Sequence, residues 1–440
     1  MNKLLTASIG AFVMVSPAVA QNCPTANGSV PPGSNTTDPS APFYIDPFGL
    51  SSATTPPTRD PDNPAYAPAT ELPDGQLPTK ADRGNFIIGP THDPAPETFA
   101  QPNVPKGSVY SFTMFSNQSA IYKPGVVRDD PNGCLDASVY TASTFPDDPS
   151  NVIITTSHPG TWTRTVNVYV PAQYNHGAEV PFIVTGDAGI TNPTGAQLFT
   201  VLDNLIDEHR LPPMVAVEIG PGGQDAQGSE RGREYDTVSG DYAQWVETEV
   251  LPLVQQAADV RLTKDPDGRA TLGISSSGSA AFTMAWFHPE LYHRVLAYSP
   301  TLVNQQWPHN PALPGGAWQF HSSYAGPPSP NENVEGFNPP APSKLPIGLP
   351  LALQSARKPI RFWFEVGDRD LFYPDAPIAD GMHDWVLANE RMALVMGKKG
   401  YQYQFIFSSN ARHVDGPTTS QTLPEAPEWL WAGYPGRPVR

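Results

Sequence analysis

The stretch Gly268-Arg-Ala-Thr-Leu-Gly273-Ile-Ser275-Ser276-Ser277-Gly278-Ser-Ala-Ala-Phe-Thr-Met-Ala-Trp-Phe-His-Pro289 constrains the fold more than any other part of the chain. A turn at Asp265-Pro-Asp-Gly268 leads into a short β-type run, and a helix-type run from Ala280 to Phe287 ends before Pro289. Between them, small residues crowd around a serine. Strand, sharp turn and helix with a serine at the apex make a nucleophile elbow, and the strain of that turn demands small residues two before and two after the nucleophile. For Ser275 these are Gly273 and Ser277; for Ser276 the first would be Ile274, which is too large. Ser275 is therefore the expected nucleophile, with Ser277 standing where the motif usually has glycine. The helix points its N-terminus at the serine, so the N–H of Ser276 is a candidate donor to a developing oxyanion.

The segments around the elbow supply a sheet for it. After Pro171, near-continuous apolar runs alternate with helical stretches, the pattern of a mostly parallel sheet covered on both faces. The runs are Pro181–Thr185, Pro213–Ile219, the strand from Thr271, Arg294–Tyr298, Ile360–Val366 and Tyr401–Phe407. The helices are Gln197–His209, about Gly240 to Ala258, Asp380–Met396 and Pro424–Trp431. Alternating runs at Ser108–Phe115 and Trp162–Val170 read as antiparallel edge strands. The expected fold class is α/β, with catalytic loops at the C-terminal ends of the parallel strands.

Outside this series the chain changes character. Residues 1–20 read as a secretory signal, with Lys3, an apolar Leu4–Val15 and the small Ala18-Val19-Ala20. Residues 21–105 are dense in proline and polar residues, and read as an extended segment that partly packs on the main domain through Phe43-Tyr44, Phe48 and Asn85–Gly89. The main domain spans 106–440, interrupted at 306–350 by an irregular aromatic-bearing insertion that reads as a lid or pocket wall. The net charge of −17 argues against nucleic acid and anionic membranes as partners. No later apolar run is long enough to span a bilayer. The two cysteines, Cys23 and Cys134, are free to pair in an oxidising compartment, and no Cys/His metal spacing is present. Gly220-Pro-Gly-Gly223 has neither phosphate-loop spacing, so the stretch through Tyr235 reads as a loop.

A serine hydroxyl needs a positioned base, itself held by a carboxylate. Among ten histidines, His413 follows the last strand, where the base belongs; His309 and His321 on the insertion are alternatives that would otherwise contact substrate. Gly367-Asp368-Arg369-Asp370-Leu371 offers two carboxylates that spacing does not separate. The turn Gly186-Asp187-Ala188-Gly189 follows an early buried strand, so Asp187 or Ala188 is expected to give the second oxyanion N–H. Trp318, His321, Arg231 and Glu234 are candidate substrate-binding residues.

From about Gly107 to Tyr434 the chain resembles the esterase family that includes esterase D, enterochelin-esterase-like proteins, feruloyl and acetyl xylan esterases and the mycolyltransferase antigens. Val201–Ile206, Arg233–Ser239, Gly273–Gly278, Glu365–Leu371, Asp384–Met392 and Asn410–His413 carry the likeness. It implies an α/β-hydrolase fold and a Ser-Asp-His triad. The family's acid falls in Gly-x-x-Asp-Leu, which selects Asp370. The expected function is that of an exported serine carboxylesterase, secreted or periplasmic, that needs no cofactor or metal. Export, acidity and the aromatic insertion suit a small-molecule or polysaccharide-linked ester: a phenolic acid ester, a polysaccharide decoration or a siderophore lactone. An acyltransferase using the same acyl-enzyme and a non-catalytic binding module are the competing readings.

Overall fold

The computed structural model describes residues 43–45, 67–128, 153–155, 157–187, 195–223, 229–303, 316–322, 350–371 and 384–434. The signal-like residues 1–20, Cys23, Cys134, His309 and most of the insertion lie outside them.

Ten strands form one sheet: β1 Thr70–Glu71, β2 Gly84–Ile88, β3 Ser108–Phe115, β4 Thr163–Val170, β5 Phe182–Thr185, β6 Val215–Ile219, β7 Arg269–Ile274, β8 Arg294–Tyr298, β9 Arg361–Arg369 and β10 Gln402–Arg412. Their spatial order is β1-β2-β10-β9-β8-β7-β5-β6-β4-β3. The pairings from β1 through to β6 are parallel, and β4 runs antiparallel to both β6 and β3. The two alternating runs are thus the antiparallel edge, and the apolar runs are the buried parallel centre. β5, β6, β7 and β8 are buried at every position, as strands covered on both faces must be. Part of the proline-rich segment belongs to this sheet. β2 pairs with β10 in parallel and β1 extends it, so Phe86, Ile87 and Ile88 sit in the core.

Helices cover both faces: α1 Gly195–Asp207, α2 Glu230–Tyr235, α3 Ser275–Phe287, α4 Trp385–Lys399, α5 Gly416–Thr422 and α6 Glu425–Trp431. On one face Leu198, Val201, Leu202, Leu205 and Ile206 of α1 and Trp429 and Leu430 of α6 pack on Ile183, Leu272 and Ile274. On the other, α3 and α4 pack on Phe182, Val184, Phe362 and Phe364. Successive residues of one strand feed opposite cores, as the strand's two-residue period requires.

Three elements differ from the sequence reading. The segment before Tyr235 ends in a helix, not a loop: Ser229 caps α2 by accepting from the Gly232 N–H, and Glu230 sits in the first turn. The single helix expected near 240–258 is α-helical at Asp241–Trp245, widens to a π-helical turn at Val246–Val250, and resumes at Leu251–Ala258. Pro252 follows directly; it has no N–H to give and crowds the preceding turn. α5 has no strong periodic signature, yet Asp415 caps it through the Thr418 N–H at 3.0 Å.

Candidate active site

Three loops at the C-terminal ends of β7, β9 and β10 bring the site together. At the end of β7, Ile274 is extended and Ser275 adopts φ +52°, before α3 begins. A non-glycine residue in this left-handed region is strained by roughly 1–3 kcal/mol and persists only where its surroundings hold it. Gly273 is obligatory, because a Cβ there would meet the Ser277 carbonyl oxygen at 2.0 Å. Ser277 does more than fit: its Oγ donates to the Ile274 carbonyl (2.8 Å) and accepts from the Ile274 N–H (2.9 Å). The side chain in the glycine position therefore fastens the turn on both sides of the nucleophile candidate. The Ser275 carbonyl is held by the Thr301 N–H at 3.0 Å.

His413 Nε2 lies 2.9 Å from Ser275 Oγ, and its Nδ1 lies 2.6 Å from Asp370 Oδ1. Asp370 is fully buried, and the same oxygen accepts from the Leu371 N–H. The register of β9 with β10 shifts between Gly367 and Arg369, and pairing resumes with Arg369 opposite Arg412, next to the histidine. Gly367 permits this close approach, since a Cβ would meet the Ala411 carbonyl at 2.4 Å. The two carboxylates that spacing left equal are now separated: Asp368 accepts from the Ala411 N–H (3.1 Å) and braces β10, while Asp370 faces the imidazole. The His413 loop is held by Ser299 Oγ, which accepts from the Val414 N–H at 2.9 Å, and by Asp415, which accepts from the Arg412 N–H at 3.2 Å. The ring of Trp385 meets His413 edge-on at 5.8 Å.

The turn after β5 approaches from the other side. Asp187 has φ +59°, and its buried carboxylate accepts two bonds from Arg231, at 2.8 and 2.9 Å. Its N–H donates to the Tyr235 hydroxyl at 3.2 Å. Of the two donors expected here, Asp187 thus already has a partner for its N–H, and Ala188 lies outside the described residues.

The expected substrate-binding residues are placed differently. Arg231 is occupied in fixing the Asp187 turn. Glu234 is fully buried in an ion pair with Arg164, whose guanidinium stacks on Trp162 (3.9 Å) and Trp245 (4.4 Å). His321 is buried with Nε2 2.7 Å from the Leu302 carbonyl and Nδ1 2.9 Å from Ser322 Oγ. Burial pushes its pKa down to about 3, so it is neutral. Trp318 is buried against it at 4.8 Å. Glu234, His321 and Trp318 are all buried. Tyr235, Ser299 and Trp385 are contributors that sequence reasoning missed; the Ser299–Val414 bond spans 115 positions, and no local pattern reports such a pair.

Two buried acids surround Asp370. Burial, with the nearby charges of Asp370 and Asp415, raises Glu365 well above the carboxylate range, and burial with Asp370 raises Asp384 to about 7. Asp384 caps α4 through the Leu387 N–H at 2.9 Å. Among the described residues no group of three or more His, Cys, Asp and Glu is disposed to hold a metal ion, and no helix is long and apolar enough to cross a membrane.

No curated protein sequence matches the chain. Solved structures that resemble it include a ferulic acid esterase, 14% identical over 74% of this chain and 99% of that one, with a TM-score of 0.43. The CE1 ferulic acid esterase AmCE1/Fae1A from the anaerobic fungus Anaeromyces mucronatus, in complex with ferulic acid, is 12% identical over 76% and 94%, TM-score 0.43. The enterobactin esterase of Shigella flexneri, in the presence of 2,3-dihydroxy-N-benzoyl-glycine, is 19% identical over 61% and 56%, TM-score 0.41. The model of the family described as "Putative esterase" matches residues 157–378, half of the chain and the part that holds Ser275 and Asp370. The chain belongs to this esterase family, and its sheet, helices and loop placement are those of an α/β-hydrolase.

Proposed function

We propose that the protein is an exported serine carboxylesterase whose catalytic residues are Ser275, His413 and Asp370. The relay from Ser275 Oγ to His413 Nε2 (2.9 Å) and from Nδ1 to Asp370 (2.6 Å) carries this reading. Ser275 Oγ attacks the ester carbonyl carbon as its proton passes to Nε2. Asp370 holds the ring and stabilises the imidazolium. The N–H groups of Ser276 and Ala188 receive the charge on the carbonyl oxygen. Collapse of the tetrahedral intermediate breaks the ester C–O bond, and the leaving alkoxide takes the proton from Nε2. Water, deprotonated by the same nitrogen, then attacks the acyl-enzyme and frees the acid and Ser275. Residues 1–20 act as the export signal, and the catalytic domain comprises 106–440 together with the strands at 70–71 and 84–88 that the proline-rich 21–105 segment contributes to its sheet. Esters of ferulic acid and of N-(2,3-dihydroxybenzoyl) amino acids, after the compounds named with the esterases of similar fold, are the first substrates to assay.

Fluorophosphonate labelling followed by peptide mass spectrometry tests the assignment, alongside p-nitrophenyl acetate turnover. One adduct per chain on Ser275 is expected, with kcat lowered at least about 10⁴-fold in Ser275→Ala. An adduct on Ser276 or Ser277, or turnover retained in the Ala variant, overturns it. A polyol acceptor added to the assay reads how the acyl-enzyme divides between water and alcohol.

A further inference from the structure

At the opposite pole of the sheet, the N-terminal ends of β8, β9 and β10 frame a cavity of about 460 Å³. Arg294, Arg361 and Gln402, in register across these strands, line it with His293, Arg357 and Lys358; Asp267 is the single acid among the lining residues. The nine residues of β9 place it about 30 Å from Asp370, so it is no part of the cleft around Ser275. In a chain of net charge −17 such a cluster of cations is unusual.

Its cations are held without carboxylates. Arg294 donates to the carbonyls of Asp267 (2.7 Å) and Leu430 and stacks on Trp431 (5.0 Å). Arg361 donates to the Ala432 carbonyl (2.9 Å) and stacks on Trp429 (4.1 Å), and its buried Nε has no hydrogen-bond partner. Arg357 donates to the Gly400 carbonyl (2.7 Å), and Lys358 lies over Trp286 (5.4 Å). Among the described residues, none of these four is ion-paired with a carboxylate. The acids nearby are otherwise engaged: Asp267 with His293 (2.8 Å), Glu290 with His288 (2.7 Å), and Asp265 with the Asp267 N–H (3.0 Å). Aromatic rings and carbonyls fix the guanidinium planes; Asp267 and Asp265 offset part of the charge of Arg294 without pairing with it, and Arg294 and Arg361 repel one another. Desolvation and the charges of Arg294 and Arg83 bring Arg361 down to about 10, which leaves it charged near neutral pH.

We propose that this cavity is an oxyanion-binding site, distinct from the catalytic cleft, that takes a ligand bearing a phosphate, sulfate or carboxylate group. The planar forks of Arg357 and Arg361 grip two oxygens of such a group, and the anion relieves the repulsion between Arg294 and Arg361.

Isothermal titration of the full-length protein at pH 7, with ionic strength held by sodium chloride, tests this with inorganic phosphate, sulfate and an oligogalacturonate as separate probes. Saturable binding of at least one probe is expected, weakened about tenfold or more in Arg361→Gln and in Arg357→Gln. The probe that binds tightest identifies a free inorganic anion or an acidic glycan as the source. Arg361 packs on Trp429, whereas Arg357 is exposed at the rim, so Arg357→Gln reads the site even if Arg361→Gln unfolds. Binding of no probe beyond the chloride control, equal binding by Arg357→Gln, or competition with p-nitrophenyl acetate at the catalytic cleft overturns the assignment.

Discussion

Ser277 and Asp187 show how single side chains stabilise the strained backbone at this site. Ser277 satisfies both the N–H and the carbonyl of Ile274, next to a serine held at positive φ. Ser277→Ala removes the hydroxyl and leaves two buried backbone groups to find other partners, at a cost of about 1–3 kcal/mol. Urea denaturation is expected to show that loss, together with slower p-nitrophenyl acetate turnover; a variant as stable and as fast as the parent means the clamp is idle. Arg231 has a parallel role for the turn after β5. Arg231→Gln leaves the fully buried Asp187 carboxylate without its partner, which costs about 3–5 kcal/mol. In kinetics it should lower kcat more than it raises KM if the turn it secures carries the proposed oxyanion donor, and an effect on KM alone contradicts that role.

At the scale of elements, α2 joins the site to the edge of the sheet. Tyr235 at its end touches the Asp187 turn, and Glu234 beside it pairs with Arg164 on β4 with both side chains fully buried. Removing one partner strands the other charge, whereas removing both takes away the buried charge pair and leaves only the Gly222 N–H, which donates to Glu234 at 3.3 Å, and the Glu230 carboxyl beside it. Arg164→Met and Glu234→Leu are each expected to lower stability by about 3–5 kcal/mol, and the double variant by less than either alone. Additive losses in chemical denaturation would show that the two residues act independently. The capped start of α2 was hidden from the sequence reading by the glycine-rich run before it, although Ser229 and Glu230 are an ordinary helix-start pair. The helix α3, buried from Ser276 to Trp286, was legible because its small residues follow directly on the elbow.

For the whole molecule, buried acids set the response to pH. Burial and the neighbouring Glu234 push Glu230 up to about 8, and Asp384 stands at about 7. In the unfolded chain both titrate near 4. The folded state therefore holds more protons than the unfolded one across this interval, so its stability declines as pH rises from about 4.5 through 8. The growing negative charge of an already acidic chain acts in the same direction. Thermal unfolding is expected to show a higher Tm at pH 5 than at pH 8.5, a difference on the order of several kcal/mol in stability. Glu230→Gln should flatten the upper part of the profile; a Tm that rises with pH contradicts the assignment of these protons.

The order of elements, the two antiparallel edge strands, the elbow at Ser275 and the placement of His413 after the last strand all follow from local patterns: hydrophobic period, small-residue spacing and turn residues. These depend on interactions within a few positions, so a linear reading reaches them. Spacing does not separate Asp368 from Asp370; the family resemblance selects Asp370, and only the tertiary structure supplies the physical reason, with Asp368 bonded to a backbone N–H and Asp370 to an imidazole. The sequence marks Arg231, Glu234 and His321 only as polar residues near the loops that form the site. Packing decides that Arg231 binds Asp187, that Glu234 is sealed against Arg164, and that His321 is neutral in the core. It also gathers Arg294, Arg357 and Arg361 at one pole of an acidic protein. Charge and hydrogen bonding depend on distance in space, and residues more than a hundred positions apart become neighbours only when the sheet has formed.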